Sequence, residues 1–211
     1  MAVASRALAR FRLVLWILVA IAAVLATVLF VFRPFAPQGP GAASFGGPLS
    51  NPAQNFTLAS TSGETFTRED FQGTPSLVFF GYTFCPDVCP TTIAEATAWR
   101  AEAGLSPEQL RIVFVTVDPA RDTLDVLGNY LSAFDPSVIG LVGDDQQTQA
   151  IKAAFGAYGE RAEGDSDDPN YLVNHTASLF LIDKDGQFQG TIAYGENSDA
   201  ALAKIRRLVG A

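Results

Sequence analysis

The sequence predicts an α/β protein, with a mixed β-sheet flanked by helices and preceded by one transmembrane helix. Two features predict this architecture. From residue 55 onward, short β-forming runs alternate with segments of helical composition, and an apolar run of helical length stands near the N-terminus. Apolar residues make up 48% of the 211 residues and charged residues 17%, so the chain is not a disordered polyelectrolyte.

The apolar run is Leu13–Phe32, which contains one polar and no charged residue. A helix of this length, rising about 1.5 Å per residue, spans roughly 30 Å, the hydrocarbon thickness of a bilayer. A cleaved signal peptide, the alternative, would have a shorter apolar region of about 7–15 residues. Because Arg6, Arg10 and Arg12 precede the run and Arg33 alone borders its other end, the positive-inside rule predicts a cytoplasmic N-terminus. We therefore expect a single-pass anchor in the inner (cytoplasmic) membrane, with the domain in the periplasm or an equivalent organelle space.

Residues 34–54 have the composition of a linker. Nine of these 21 residues are glycine or proline, and none is charged. We therefore expect three parts: an N-terminal tail and anchor at residues 1–33, a Pro/Gly-rich linker at 34–54, and a globular domain at 55–211.

The charges of the chain are unevenly distributed. Residues 34–211 carry 10 basic and 22 acidic residues, a net charge of −12. Because such a surface repels phosphate backbones, the sequence predicts no nucleic-acid partner.

The first half of the globular domain predicts three strands, each followed by a helix. The strands are runs of branched and aromatic apolar residues at Ser76–Tyr82, Arg111–Val117 and Val138–Val142. The helices are Thr91–Ala103, Thr123–Phe134 and Gln146–Tyr158. Asp122 or Thr123 is the expected cap of the second helix. This alternation implies right-handed βαβ crossovers and a parallel part of the sheet.

The second half predicts a hairpin and a final helix. Ala177–Ile182 and Gln187–Ala193 flank the turn sequence Asp183–Gly186, as in a β-hairpin. Ser198–Leu208 has helical composition, with Ser198 or Asn197 as the expected cap. An antiparallel hairpin beside parallel strands makes the sheet mixed.

The two cysteines, Cys85 and Cys89, lie between the first strand and the first helix. Amide groups and the helix dipole favour a thiolate at such a junction. Pro90 suits the first helical turn, which makes Cys89 the expected cap. The spacing keeps both sulfurs on one side, close enough for a disulfide or for two bonds to one metal ion. Because a disulfide over so short a loop constrains the unfolded chain little, redox or metal chemistry is favoured over a stabilising role.

His175 is the only histidine of the chain and directly precedes the hairpin. A lone histidine is more often a satisfied surface residue than a ligand. In the thioredoxin architecture, however, the loop before the hairpin faces the cysteine pair and normally carries a cis-proline, whereas this chain has His175 and Thr176 there. Two thiolates and an imidazole suit Cu(I) or Cu(II), whereas zinc prefers a fourth ligand and iron–sulfur clusters need four. The residues best support copper held by Cys85, Cys89 and His175.

At these residues the chain resembles the Sco/SenC family of membrane-anchored, thioredoxin-like copper proteins linked to cytochrome c oxidase assembly. The resemblance extends from about Asn55 to the C-terminus. Its motifs lie at Gly81–Thr92, Val117–Thr123, Asn174–Thr176 and Leu181–Gly186. The family often has an aspartate before the histidine, where this chain has Asn174.

The resemblance implies a copper metallochaperone with a thioredoxin-like domain. It implies that Cys85, Cys89 and His175 bind Cu(I) and/or Cu(II), and that copper passes to the binuclear centre in the copper-bearing subunit of cytochrome c oxidase. It further implies thiol–disulfide exchange at Cys85 and Cys89, with other copper chaperones or thioredoxin-like reductants as additional partners.

Two other functions stay open, besides that of a purely structural subunit of a membrane complex. A membrane-tethered thiol–disulfide reductase without obligatory metal would make His175 dispensable. A thiol peroxidase would need a low-pKa cysteine beside a threonine and an arginine, roles open to Thr83 and Arg121, but it would leave Cys89 and His175 without a purpose.

Other residues near the motifs have open roles. Asp118 and Arg121 have two possible roles. They are either the residues at which a strand ends and a helix begins, or residues beside the site that tune the charge of the thiolates or contact a partner. Phe79, Phe80 and Phe84 are expected in the core.

Overall fold

The computed structural model describes residues 15–21, 48–50, 54–164 and 168–210. Within residues 54–210 it places nine strands: β1 Thr57–Ser60, β2 Thr65–Thr67, β3 Ser76–Gly81, β4 Arg111–Thr116, β5 Ile139–Val142, β6 Gly159–Arg161, β7 Val173–His175, β8 Leu179–Ile182 and β9 Phe188–Ile192. The α-helices there are α1 Val88–Glu102, α2 Leu124–Ser132, α3 Asp145–Phe155 and α4 Ser198–Val209. A 3-10 turn lies at Glu69–Phe71.

The expected anchor, Leu13–Phe32, lies mostly outside the described residues. Residues 15–21 form a helical segment. Across the described part of the chain, no helix has both the length and the apolar content needed to cross a bilayer. The anchor and the boundary at residue 33 stay predictions.

Leu49 lies within the expected linker and belongs to the folded domain. Its side chain is buried in the core, and its amide donates a 2.7 Å hydrogen bond to the carbonyl of Ala154. The folded part therefore extends upstream of residue 55, at least to Leu49.

The main sheet has seven strands in the order β2-β1-β5-β4-β3-β8-β9. Strand β4 pairs in parallel with β3 and with β5, because α1 and α2 cross over between successive strands. All other pairs of this sheet are antiparallel. The mixed sheet predicted from the strand–helix alternation is therefore confirmed.

Strands β6 and β7 form a separate two-stranded sheet. They lie between α3 and β8 in the chain, and β7 carries His175 at its end. The histidine therefore lies on a small sheet that shares no backbone pairing with the seven-stranded one.

The core is built on the two central strands β3 and β4. Strand β3 is buried along its whole length, and β4 except at Arg111. Phe79 and Phe80 are buried there, as expected. The expectation was wrong for Phe84, which is 47% exposed because it lies in the loop beyond the end of β3.

Two of the three helix caps predicted from the sequence are confirmed. Thr123 accepts a hydrogen bond from the Val126 amide at the start of α2, and Asn197 caps α4. The expected cap at Cys89 is wrong, because α1 already begins at Val88 with Asp87 in the cap position. Cys89 is thus a residue of the first helical turn.

Candidate metal centre

Cys85, Cys89 and His175 converge on one point, with one ligand atom of each within 4.8 Å of the others. The Nε2 atom of His175 lies 3.5 Å from Sγ of Cys89 and 3.8 Å from Sγ of Cys85. Both cysteines are free thiols. The three residues that the sequence singled out therefore form one cluster.

Strand pairing brings the three residues together. Strand β3 leads directly into the cysteine loop, residues 82–87, and Cys89 follows in the first turn of α1. Strand β8 is antiparallel to β3, with Ser76 opposite Ile182 and Val78 opposite Phe180. The segment that enters β8, and His175 within it, is thereby brought beside the end of β3.

Gly81 allows the Cys89 sulfur to pack against the end of β3. A Cβ atom at this position would lie 2.7 Å from Sγ of Cys89, 2.7 Å from Cζ of Phe114 and 2.8 Å from Cε1 of Phe79. These separations are shorter than van der Waals contact, so only glycine fits without displacing the sulfur.

The two thiols differ in ionisation. Hydrogen bonding from the Cys89 thiol, opposed by burial and supported by the amides of Asp87 and Cys89, lowers the pKa of Cys85 to about 4. The Cys89 amide lies 3.4 Å from the Cys85 sulfur. Burial, followed by donation to Cys85, raises the pKa of Cys89. In the metal-free protein Cys85 is therefore the thiolate and Cys89 keeps its proton.

The imidazole of His175 is held in one orientation. Its Nδ1 donates a 3.1 Å hydrogen bond to the carbonyl of Thr176, because a carbonyl oxygen can only accept. The Phe79 and Tyr82 rings pack nearly perpendicular to the imidazole, at centroid distances of 5.8 and 5.7 Å. This leaves Nε2 directed at the two sulfurs, the arrangement of metal-binding histidines whose second nitrogen bonds a carbonyl.

The donor chemistry of this cluster suits copper. Two sulfurs and one imidazole nitrogen satisfy Cu(I), which prefers thiolate, and Cu(II), which accepts nitrogen as well. Among the described residues, no fourth His, Cys, Asp or Glu joins the group, so a closed four-ligand zinc site is not formed.

Asp118 and Arg121 are not among the three members of this cluster. The Arg121 guanidinium donates a 2.5 Å hydrogen bond to Asp118 and lies over the Phe84 ring at 4.9 Å. Thr83 donates its hydroxyl to Asp122 at 2.6 Å. The two residues that a peroxidase would need are therefore both bonded to carboxylates.

The sequence analysis did not identify the structural roles of Tyr171 and Asp122. Tyr171 donates a 2.6 Å hydrogen bond to Asp118, and no sequence pattern marked it. Asp122 was expected only as a helix cap, yet its fully buried carboxylate binds Thr83 and Thr116. The signal for Asp122 was its place in the motif Val117–Thr123.

Comparison with known proteins gives one family. The sequence model of the SCO1/SenC family matches residues 48–210. The chain is 39% identical over 134 residues to a SCO2-like protein of Rickettsia felis, a match covering 64% of this chain and 65% of that protein. Its match to the mitochondrial protein SCO2 of Saccharomyces cerevisiae is 34% identical and covers 80% of this chain and 54% of the yeast protein. The matches thus span less than two thirds of either relative.

Solved structures agree with the sequence comparison. The copper-bound structure of ScoI from Bradyrhizobium japonicum has a TM-score of 0.66 and 34% identity, and it covers 73% of this chain and 97% of that chain. The copper-bound structure of yeast Sco1 has a TM-score of 0.67 and 30% identity, and the match covers 74% of this chain and 87% of the yeast chain. The α/β fold is thioredoxin-like, as these similarities show.

Proposed function

Because the chain belongs to the SCO1/SenC family, we propose that it is a copper metallochaperone of cytochrome c oxidase assembly. Cys85, Cys89 and His175 bind copper and deliver it to the binuclear copper centre in the copper-bearing subunit of the oxidase. The convergence of two sulfurs and one Nε2 atom within 4.8 Å is the observation that carries this proposal. The copper-bound structures of the Bradyrhizobium and yeast relatives support it.

The shape of the site supports release of the metal as well as binding. A shallow pocket of about 250 Å³ opens at the cluster, lined by residues that include Cys85, Leu172 and His175. Cys85 and His175 are half-buried, whereas Cys89 is fully buried. A ligand from a partner therefore reaches the metal from the side of Cys85 and His175, and copper transfers by ligand exchange.

Thiol–disulfide exchange at the same cysteines is linked to metal loading. The Cys85 thiolate attacks a partner disulfide, forms a mixed disulfide and releases one partner thiolate. Cys89 then passes its proton to that thiolate and attacks Cys85, which closes the Cys85–Cys89 disulfide and leaves the partner with one thiol and one thiolate that takes a proton from solvent. This oxidation removes both sulfur ligands, so a thioredoxin-like reductant is needed before copper binds again.

The location belongs to the same proposal. The apolar run and its flanking arginines support a single-pass anchor in the inner membrane, with the domain in the periplasm or an equivalent organelle space. Residues 1–33 would then hold the domain at the membrane through the linker, near a membrane-bound oxidase.

A membrane-tethered thiol–disulfide reductase is the second candidate. The low pKa of Cys85 beside a buried Cys89 thiol favours it, since such a pair also serves dithiol oxidoreductases. It differs from the chaperone in needing no imidazole at position 175.

His175→Ala separates the two candidates. In the full chain purified with detergent, we expect this change to abolish Cu(II) binding and to weaken Cu(I) binding less, because two thiolates hold Cu(I) almost alone. Cys85→Ser and Cys89→Ser should abolish tight binding of both ions. Thiol–disulfide exchange should survive in His175→Ala and be lost in both serine variants.

The matched control is Gln146→Ala, an exposed change on α3, which should bind both ions like the unchanged protein. Cells that depend on the His175→Ala chain should fail to assemble cytochrome c oxidase. Unchanged Cu(II) spectra together with normal oxidase activity in those cells would contradict the three-ligand site and favour the reductase.

A further inference from the structure

The buried carboxylate of Asp122 is hydrogen-bonded to the beginning of the cysteine loop. Asp122 is fully buried and accepts hydrogen bonds from the Thr83 amide at 3.1 Å, the Thr83 hydroxyl at 2.6 Å and the Thr116 hydroxyl at 2.6 Å. Thr83 lies two residues before Cys85. Asp122 thus ties the beginning of the cysteine loop to the end of β4.

A second carboxylate four residues earlier holds the histidine strand. Asp118 is 5% exposed and accepts a 2.6 Å hydrogen bond from the hydroxyl of Tyr171. Tyr171 lies two residues before β7, which ends in His175. The segment that leads to the imidazole is thus tied to the same β4–α2 loop, residues 117–123.

Arg121 joins the two ties. Its guanidinium donates to Asp118 and stacks on the Tyr171 ring at 3.6 Å, and it lies over the Phe84 ring at 4.9 Å. Phe84 is the neighbour of Cys85 in the chain. A planar guanidinium holds two aromatic rings in this way better than an ammonium does.

These ties matter because β7 does not belong to the main sheet. A two-stranded sheet is marginally stable by itself, and β6 and β7 share no ladder with the seven main strands. The pairing of β8 with β3 brings this segment near the cysteines, and side-chain contacts then fix where His175 lies relative to the sulfurs. A further contact of this kind is the 3.2 Å hydrogen bond from the Val173 amide to the Tyr82 hydroxyl.

We propose that Asp118, Arg121 and Asp122 are positioning residues, which touch no metal and set the separation between the two sulfurs and the imidazole. Asp122 positions the cysteine loop, Asp118 positions the histidine strand through Tyr171, and Arg121 couples the two. Their importance for copper rests on the proposed function, but the positioning itself exists in the metal-free protein and is measured there.

Neutral substitutions test each tie without removing a charge. Tyr171→Phe deletes the hydroxyl that donates to Asp118 and keeps the ring under Arg121. Thr83→Val deletes the hydroxyl that donates to Asp122 and keeps the side-chain shape. The matched control is Tyr158→Phe, because Tyr158 is exposed and donates to the Glu160 carboxylate on β6.

The first measurement uses the metal-free full chain in detergent. We expect faster amide hydrogen exchange at Val173 and His175 in Tyr171→Phe, with unchanged exchange in β4. We expect a changed alkylation rate of Cys85 in Thr83→Val. Tyr158→Phe should match the unchanged protein in both measurements. If Tyr171→Phe and Thr83→Val also match it, the positioning proposal is overturned, whether or not the protein binds copper.

The second measurement uses copper. Tyr171→Phe should lower Cu(II) affinity about tenfold, equivalent to about 1.4 kcal/mol, and alter the Cu(II) spectrum, because the imidazole is displaced. Cu(I) affinity should change by no more than about twofold, since the thiolates are untouched. Equal losses of Cu(I) and Cu(II) would show a general loss of folding and would overturn the positioning role.

Coupling supplies the last check. If Tyr171 acts through Asp118, Asp118→Asn together with Tyr171→Phe should weaken Cu(II) no more than Asp118→Asn alone. If the two substitutions reduce Cu(II) affinity additively, the proposal that Tyr171 acts through Asp118 is overturned. Failure of the unchanged protein to bind copper would instead contradict the proposed function, with the metal-free exchange data still deciding the positioning.

Discussion

The two cysteines have the same side chain and lie four residues apart, yet the fold gives them different chemistry. Cys85 lies in the loop, half-buried, and receives hydrogen bonds, whereas Cys89 is fully buried in the first turn of α1. The sequence motif could predict that both are at the site. It could not predict their difference, because burial of Cys89 depends on its contact with the end of β3.

This difference predicts the pH dependence of thiol reactivity. Since the pKa of Cys85 is about 4, its thiolate is present throughout neutral pH and is lost as the pH falls through about 4. We expect the alkylation rate of the reduced, metal-free protein with iodoacetamide to be flat from about pH 6 to 8, where an ordinary thiol of pKa about 8.5 reacts steadily faster. The rate should fall at acidic pH.

Cys85→Ser is the control for that experiment. It should abolish the fast phase of alkylation, because the pKa of the remaining Cys89 thiol is raised by burial. A rate that climbs tenfold per pH unit through neutral pH would contradict the thiolate at Cys85.

At the scale of elements, the strands and helices predicted from the sequence are those that a continuous apolar run or a helix cap marks within the element itself. The central strands β3, β4 and β5 are continuous apolar runs, and the four helices have periodic or capped sequences, so all were predicted within a few residues of their bounds. Strands β1, β2, β6 and β7 were missed, since they are short and, unlike β5, contain no continuous apolar run. The separate sheet that carries His175, and its ties to Asp118, arise from contacts distant in sequence.

The approach of α1 to the end of β3 gives a prediction at this scale. Gly81→Ala should destabilise the fold by about 1–3 kcal/mol through overpacking, because the new Cβ would lie 2.7 Å from Sγ of Cys89. The displaced sulfur should also weaken copper binding. Denaturant unfolding and copper titration of the full chain measure the two effects.

Gly128→Ala is the matched control, because it makes the same substitution within α2. A Cβ there would meet only Thr61, at an ordinary 3.6 Å, and alanine favours the helix by about 0.5–1 kcal/mol. We expect Gly128→Ala to stabilise the protein and leave copper binding unchanged. Equal stability of the two variants would show that Gly81 is not required for the close approach.

At the scale of the whole molecule, the charges of the chain separate along its length. Basic residues dominate the N-terminal 33 residues, while residues 34–211 carry a net charge of −12. The described domain has its own core, formed by β3, β4 and the helices packed on them. Sequence reasoning predicts this division because it rests on composition, which needs no knowledge of contacts between distant residues.

Membrane topology is the prediction that follows from this distribution. Arg6, Arg10 and Arg12 precede the apolar run and should hold the N-terminus in the cytoplasm. A phosphatase that folds only outside the cytoplasm, fused after Ala211, should therefore be active. Replacing the three arginines by asparagine, with Arg33 retained, should reduce that activity, because the charge bias is then reversed. An inactive fusion to the unchanged chain, with a cytoplasmic reporter active in its place, would contradict the proposed compartment and remove the oxidase subunit as a partner.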